Sequence, residues 1–168
     1  REHLKAFGLA FRAAGRSYKI IEESDKKKSK RVYLEHIKAE LDCGRPVIAL
    51  GVVGPPEACI ITGYKDNGER LLGWSLYQTG GSFGENLKFD ESGYFLKDNW
   101  WENTEAIMSI GEEIGTPVSV KAILENALKL MTQERIAIYE GTCGVHFGGQ
   151  AAYKAWAEKV EDDASFAE

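Results

Sequence analysis

Three cysteines are the first candidates for chemistry, because a thiolate beside a base or a helix N-terminus is a strong nucleophile at neutral pH. Cys43 precedes Gly44 at a predicted helix end, where exposure or a structural role is the plainer interpretation. Cys59 lies in an apolar run, where cysteine behaves as a small hydrophobe. Cys143 precedes His146 by three residues in a glycine-rich stretch. This spacing fits a thiol–imidazole pair; it also fits two metal ligands, but no second Cys/His cluster completes a metal site, so we predict no metal.

Glu57 is a candidate general acid or base. It follows Gly54-Pro55-Pro56 and directly precedes an apolar run, which places its carboxylate at the mouth of a predicted strand. Partial burial there would let the carboxyl group hold a proton near neutral pH. The alternative interpretation is a solvated turn residue.

Large aromatic residues surround a long glycine-containing connection over residues 78–93. Long loops in compact domains are often lids or binding loops. The aromatic side chains therefore predict either core packing or the wall of a pocket for an apolar ligand. The residues concerned are Trp74, Tyr77, Phe83, Tyr94, Trp100 and Trp101.

Composition excludes several classes of protein. The chain has 168 residues, 43% of them hydrophobic, and a net charge of −5, which fits one α+β domain and lacks the positive charge of a nucleic-acid binder. No apolar run is long enough to span a membrane. An odd number of cysteines favours a reducing, cytoplasmic compartment over a disulfide framework. Neither a dinucleotide-binding nor a P-loop motif occurs, so we predict no cofactor.

Apolar spacing of three and four residues predicts helices, and apolar runs bounded by Gly or Pro predict strands. The predicted helices cover residues 3–14, 31–42, 116 towards 139, with Thr116 as N-cap and Pro117 in the first turn, and 152–160. The predicted strands cover residues 17–21, 47–53, 58–64, 70–77 and 104–110. We expect a charged loop over residues 22–30, a hairpin turn at Asn67-Gly68, and His36 at the surface.

Residues 44–64, followed by Asn67-Gly68 and residues 71–75, resemble the second half of a papain-like cysteine peptidase fold. The similarity is to the double-glycine peptidases and to the N-terminal domain of butirosin-biosynthesis protein H, and a broader likeness extends over residues 4–157. The resemblance implies an antiparallel sheet packed with helices. It places Glu57 where these peptidases carry the catalytic His, and Gly73-Trp74-Ser75 where they carry an Asn or Asp. It also implies a nucleophilic Cys upstream of Arg1, and since the chain opens on a predicted helix rather than on Met, we expect it to be a fragment.

The resemblance implies acyl transfer or amide cleavage, or a domain that has lost this activity. In the active version Glu57 would act in the cleft, and Tyr64 and Trp74 would line an acyl pocket beside Cys59. The alternative is a non-catalytic module that binds a small molecule or a peptide-like ligand in a cleft walled by Trp74, Tyr77, Trp100 and Trp101. A third hypothesis is the Cys143/His146 thiol site. Exposed aromatic residues would also suit a homo-oligomer interface.

Overall fold

Two units make up the chain, and the computed structural model describes residues 2–22, 26–55, 57–79, 84, 87–115, 118–133, 135–138 and 145–160. The sheet unit covers Arg16–Glu113, and the helical unit combines Arg1–Gly15 with Ile114–Glu168. In chain order the elements are α1 (Glu2–Ala13), β1 (Arg16–Glu22), α2 (Lys26–Asp42), β2 (Val47–Leu50), β3 (Ala58–Lys65), β4 (Arg70–Ser75), β5 (Lys88–Phe89), β6 (Phe95–Asp98), β7 (Ala106–Glu113), α3 (Val120–Thr132), β8 (Arg135–Ile138), β9 (Val145–Phe147) and α4 (Gly149–Val160).

The sheet unit is built on a seven-stranded sheet in the order β1-β7-β2-β3-β4-β6-β5. Every neighbouring pair of strands is antiparallel. With four α-helices in the described residues, this confirms the predicted mixed α+β class and the antiparallel sheet.

Helix α2 covers one face of the sheet, which we call the inner face. Tyr33 and Ile37 of α2 are fully buried, and the Tyr33 hydroxyl donates a hydrogen bond to the backbone oxygen of Glu105 at 3.1 Å. The buried core contains Tyr33, Ile37, Val47, Ala49, Val52, Val53, Cys59, Ile61, Leu71, Phe95, Trp100 and Ile107. Because side chains alternate along a strand, the residues between these inward positions on β3 and β4 point to the opposite face, which we call the open face.

The β3–β4 hairpin confirms the prediction of a turn at Asn67-Gly68. Asp66–Gly68 forms a 3₁₀ turn in which Asp66, Asn67 and Gly68 all have positive φ. Aspartate, asparagine and glycine tolerate this conformation better than other residues do. The return strand ends at Ser75, two residues earlier than predicted, because residues 76–79 form a second 3₁₀ turn.

The end of β2 and the start of α2 also differ from the sequence-based prediction. Strand β2 ends at Leu50 rather than Val53, because Gly51 has a φ of +81° and packs its Cα against the backbone of Asn103. Val52 and Val53 are buried all the same, so their hydrophobicity reflects core packing and not strand pairing. Helix α2 begins at Lys26 rather than Arg31, since lysines are good helix formers and extend the helix into the charged run.

The helical unit corrects three further predictions. Ser119 is the N-cap of α3, its hydroxyl accepting from the Ala122 N–H, whereas Thr116 and Pro117 lie outside the described residues. Helix α3 ends at Thr132 and does not continue towards Tyr139. The residues that follow contribute a β8–β9 hairpin that the apolar pattern did not predict.

Candidate functional site

Glu57 lies directly before Ala58, the first residue of β3, at the boundary of the sheet. Its backbone N–H donates to the Pro55 oxygen, and its backbone oxygen accepts from the Gly51 N–H at 3.3 Å. These bonds fix the backbone just before β3. Glu57 is exposed, which agrees with the predicted alternative of a solvated turn residue and not with partial burial. Glu57 is thus available to a ligand that approaches this end of the strand.

The neighbouring end of β4 carries Ser75, which pairs with Cys59 across the hairpin. Ser75 is buried, its Oγ accepts from the Tyr77 N–H at 3.2 Å, and its own N–H donates to Gln78 Oε1 at 3.2 Å. Both bonds hold the 3₁₀ turn that follows β4. The Ser75 hydroxyl therefore organises the turn that contains Tyr77, which is half-buried against the core.

The Cys59 thiol is unsuited to nucleophilic attack or to ligand contact. It is buried on the inner face, and its Sγ donates to the Ala49 backbone oxygen at 3.4 Å. Burial raises the pKa of this thiol to about 12, against a smaller opposing effect of a hydrogen bond with the Val52 backbone. The thiolate is therefore scarce at neutral pH, and the residue acts as a small core hydrophobe.

The exposed Cys43 thiol lies at the opposite end of the sheet from Glu57. It follows α2 and precedes β2, whose first residue Val47 pairs with Ile61, whereas Leu50 at the far end pairs with Ala58 beside Glu57. The length of β2 alone separates the two ends by about 10 Å. Cys43 and Glu57 therefore do not form a nucleophile–base pair.

The predicted Cys143/His146 pair falls largely outside the described residues. Cys143 is not among them. His146 contributes backbone to β9, where it pairs with Ala137 of β8, and its side chain lies outside the description. The hypothesis of a thiol–imidazole site stays a prediction.

Tyr64 and the Trp100/Trp101 pair lie on the inner side of the sheet, with α2. The Tyr64 hydroxyl donates to Asp42 Oδ1 at 3.2 Å, and burial followed by the Asp42 charge raises the pKa of this hydroxyl. The Trp100 indole is 1% exposed and donates from Nε1 to the Gly68 backbone oxygen at 2.9 Å. Trp101 packs edge-on against Trp100, with the centroids of the two rings 5.8 Å apart.

The ammonium group of Lys30, in α2, packs on the ring of Trp101. Its ammonium nitrogen lies 3.9 Å from the Trp101 ring centroid and 2.7 Å from a carboxylate oxygen of Glu69. The cation–π contact and the ion pair join the start of α2 to the β3–β4 turn. Trp100 and Trp101 thus stabilise the packing of helix against sheet.

Trp74 lies on the other face of the sheet from these aromatic residues. It pairs directly with Ile60 across the β3–β4 hairpin, while its neighbours Gly73 and Ser75 are buried. The sheet thus separates Trp74 from Tyr64, Trp100 and Trp101, and the structure does not bring the four into one cleft. Over residues 71–75 only Trp74 is exposed, and its direct pairing with Ile60 rather than with a core residue is what sets it apart.

The open face around Trp74 carries apolar residues that the sequence analysis did not single out. Ile60 is 43% exposed and Trp74 45% exposed, and Leu76, at the end of β4 nearest Glu57, is 68% exposed. Ala58 and Thr62 of β3 are exposed on the same face. We call the set Ala58, Ile60, Thr62, Trp74 and Leu76 the open-face patch. Exposed apolar patches of this kind, rimmed by polar groups, mark binding surfaces.

The described residues hold no group of three or more His, Cys, Asp or Glu side chains placed to bind a metal ion. Within the same residues, no helix combines the length and apolar character that crossing a membrane requires.

Comparisons with known proteins add no assignment. Neither the protein-family models, the curated proteins nor the solved structures contain a match to this chain.

Proposed function

We propose that the sheet unit is a binding module of papain-like architecture that holds an apolar, peptide-like ligand on the open-face patch. The observation that carries the proposal is the Ile60–Trp74 pair, which is almost half-exposed in the interior of a seven-stranded sheet. Tryptophan is enriched among the residues that dominate binding energies, because its large rigid ring excludes much water at little entropic cost.

Glu57 supplies the polar group at one end of this surface. Glu57 is exposed and lies three residues before Ile60, about 10 Å along the chain; because it precedes the first residue of β3, it lies at the edge of the sheet rather than on either face. A ligand that covers Ile60 and Trp74 and extends towards Leu76 would bring a cationic group near Glu57. The preferred ligand is therefore a short peptide-like molecule with an apolar or aromatic part and a positive charge.

The papain-like architecture is supported by the antiparallel sheet with α2 on one face. The resemblance assigns a catalytic His to the position of Glu57 and an Asn or Asp to the return strand, where this chain has Gly73-Trp74-Ser75. Replacement of both groups removes the imidazole that activates the thiol in such enzymes. The same scaffold without that base is suited to binding.

Acyl transfer or amide cleavage is the second candidate function, and the position of Glu57 is the observation that favours it. Its carboxylate stands, exposed, at the place that the resemblance gives to the catalytic base. Among the described cysteines no thiol pairs with it, since Cys59 is buried and Cys43 lies at the other end of β2. This function therefore requires a nucleophile outside the described residues.

The binding proposal is tested by titrating the protein with short peptides that carry one aromatic and one basic side chain. We expect Trp74→Ala to weaken binding about 30-fold, as loss of a central tryptophan does, and Glu57→Gln to weaken it about 3-fold. Trp156→Ala is the matched control, because this exposed tryptophan belongs to the helical unit. Equal affinities of the wild-type protein and Trp74→Ala would contradict the proposal.

The enzymatic alternative is tested with acyl thioesters as substrates. Turnover that Glu57→Gln abolishes would favour the enzyme over the binding module, and turnover that Cys143→Ser alone abolishes would favour the thiol–imidazole site. Absence of turnover together with peptide binding is the result that we expect.

Iodoacetamide labelling tests which described thiol is reactive. At pH 8 we expect Cys43 to be alkylated readily and Cys59 to react about a thousandfold more slowly, because a thiol with a pKa of about 12 holds little thiolate. Mass spectrometry of the peptides distinguishes the two sites. Fast labelling of Cys59 in the folded protein would contradict its assignment to the core.

A further inference from the structure

Helix α3 exposes its apolar side. Six large apolar residues of this helix, which we call the α3 stripe, are each between 44% and 71% exposed. The stripe consists of Val120, Ile123, Leu124, Leu128, Leu130 and Met131. The residues of α3 that are half-buried are the smaller or polar Ala122 and Asn126. An amphipathic helix in a folded domain normally turns its apolar side inward, whereas α3 exposes this side to solvent.

The charged residues of α3 lie away from the stripe. Successive helical residues are rotated by about 100°, so Glu125 and Lys129 lie about 160° from Ala127, which is at the centre of the stripe. Lys121 and Glu125 form an ion pair on that side, with Nζ and Oε1 3.8 Å apart. The surface around Ala127 is therefore purely apolar over nearly half of the helix circumference.

Four residues of the stripe are placed symmetrically about Ala127. Ile123 and Leu124 precede it by four and three residues, and Leu130 and Met131 follow it by three and four, whereas Val120 and Leu128 have no apolar counterpart. A two-fold axis through Ala127, perpendicular to the helix, would place the first pair against the second pair of another copy. In such an interface the same surface of each chain contacts the other, and a small residue at the crossing point lets the two helices approach closely.

The exposed area is sufficient for such an interface. At these exposures the six side chains present on the order of 600 Å² of surface, which is at or above the largest apolar patch of a typical monomer. Complete burial of these side chains in two copies would remove at most about 1200 Å² from solvent, which reaches the lower bound for a specific protein–protein interface. We propose that the α3 stripe is the interface of a homodimer in which two α3 helices pack antiparallel across Ala127.

Disulfide trapping tests the geometry. In a Cys43→Ser, Cys143→Ser background, Ala127→Cys should form a covalent dimer under mild oxidation, because a residue on the two-fold axis meets its own copy within disulfide range. Lys129→Cys, on the opposite side of the same helix, is the matched control and should cross-link at least about tenfold more slowly. Equal rates of cross-linking for the two variants would overturn the proposal.

Sedimentation equilibrium tests the association itself. We expect a mass of about twice the 18.7 kDa of one chain at a protein concentration on the order of 100 µM. Leu124→Glu should raise the dimer dissociation constant about 100-fold, whereas Lys129→Glu should leave it within about 3-fold. A monomer at that concentration, or a dimer that Leu124→Glu leaves intact, would overturn the proposal. Far-UV circular dichroism of both variants verifies that α3 still forms.

Discussion

The core of the sheet unit and the helices α3 and α4 of the helical unit differ in how far they bury their large apolar side chains. In the sheet unit, residues such as Trp100, Tyr33 and Phe95 are at most 1% exposed. In the helical unit, Trp156 and Leu128 are exposed by more than 60%, and neither α3 nor α4 has a buried residue. The sheet unit therefore carries its own core, whereas the described helices α3 and α4 leave their apolar residues uncovered.

This difference shows that apolar residues at helical spacing can end up either buried or exposed. Helix α2 and helix α3 both have apolar residues at helical spacing. The α2 residues Tyr33 and Ile37 pack on the sheet, but the α3 residues Leu124 and Met131 face outward. Spacing predicts that a helix has an apolar side, while only the surrounding structure decides whether that side contacts the same chain or another one.

The largest effect expected from this comparison is on stability, and it concerns two tryptophans. Trp100→Ala should lower the free energy of unfolding by about 3–5 kcal/mol, because it empties a core position and removes the hydrogen bond to Gly68. Trp156→Ala should change it by less than about 0.5 kcal/mol, since that side chain is 66% exposed. Urea unfolding at a protein concentration low enough to keep the chain monomeric measures both.

A large loss of stability in Trp156→Ala under these conditions would contradict the contrast between the buried Trp100 and the exposed Trp156. It would mean that the helical unit buries Trp156 within the monomer. Repeating the measurement at high protein concentration sharpens the result, because a dimer interface would make the effect of an exposed residue depend on concentration.

A smaller effect is expected from two glycines of the β3–β4 hairpin. A Cβ on Gly73 would collide with the Ile60 backbone oxygen and lie 2.7 Å from the Phe95 ring, so Gly73→Ala should cost about 1–3 kcal/mol. Gly63→Ala is the matched control, since its Cβ would meet only Leu72 at an ordinary 3.7 Å. In thermal unfolding, the melting temperature of Gly73→Ala should therefore be lower than that of Gly63→Ala. Similar midpoints would show that Phe95 moves aside and that the inner face is less tightly packed than described.

Local patterns predicted most of the sheet unit. The apolar runs around Ala49 and Ile61 and the Asn67-Gly68 turn predicted β2, β3 and the hairpin, because backbone conformation at these positions is set by neighbouring residues. The end of β2 at Gly51 was missed, since it depends on the approach of Asn103, about 50 residues further along the chain. Contacts between residues distant in sequence leave no local signal.

The candidate site was predicted less well than the fold. Core packing and the wall of a pocket were both predicted for the aromatic residues, and the two outcomes fall on different residues, since Trp100 lies in the core and Trp74 is exposed opposite Ile60. The position of Glu57 at the start of β3 follows from the sequence, whereas its exposure depends on how the preceding loop turns. Ile60 was missed because an apolar residue in an apolar run gives no sign of facing solvent.

The smallest expected effect is the contribution of His36 to the pH dependence of stability. Measuring it also tests how well the core of the sheet unit is packed. The sequence placed this residue at the surface, but it is buried between α2 and the sheet, with Nε2 3.0 Å from Ser109 Oγ. Burial lowers the pKa of the imidazole; Lys19 and Arg45 lower it further, and Glu40 opposes them. The folded protein therefore binds a proton at His36 less tightly than the unfolded chain does.

Stability should consequently fall as the pH drops below 6.5, the ordinary pKa of histidine, and His36 should contribute no pH dependence above it. Each unit of pKa difference corresponds to about 1.4 kcal/mol of unfolding free energy. His36→Gln keeps a hydrogen-bonding group towards Ser109 without a titrating one, so its urea-unfolding free energy should vary less between pH 5 and pH 8, about 1.5 units either side of the ordinary histidine pKa. Because His3 and His146 remain in both proteins, the difference between the two curves isolates His36. Parallel curves would mean that the imidazole gains its proton without leaving the α2–β7 contact, and that this part of the core admits solvent.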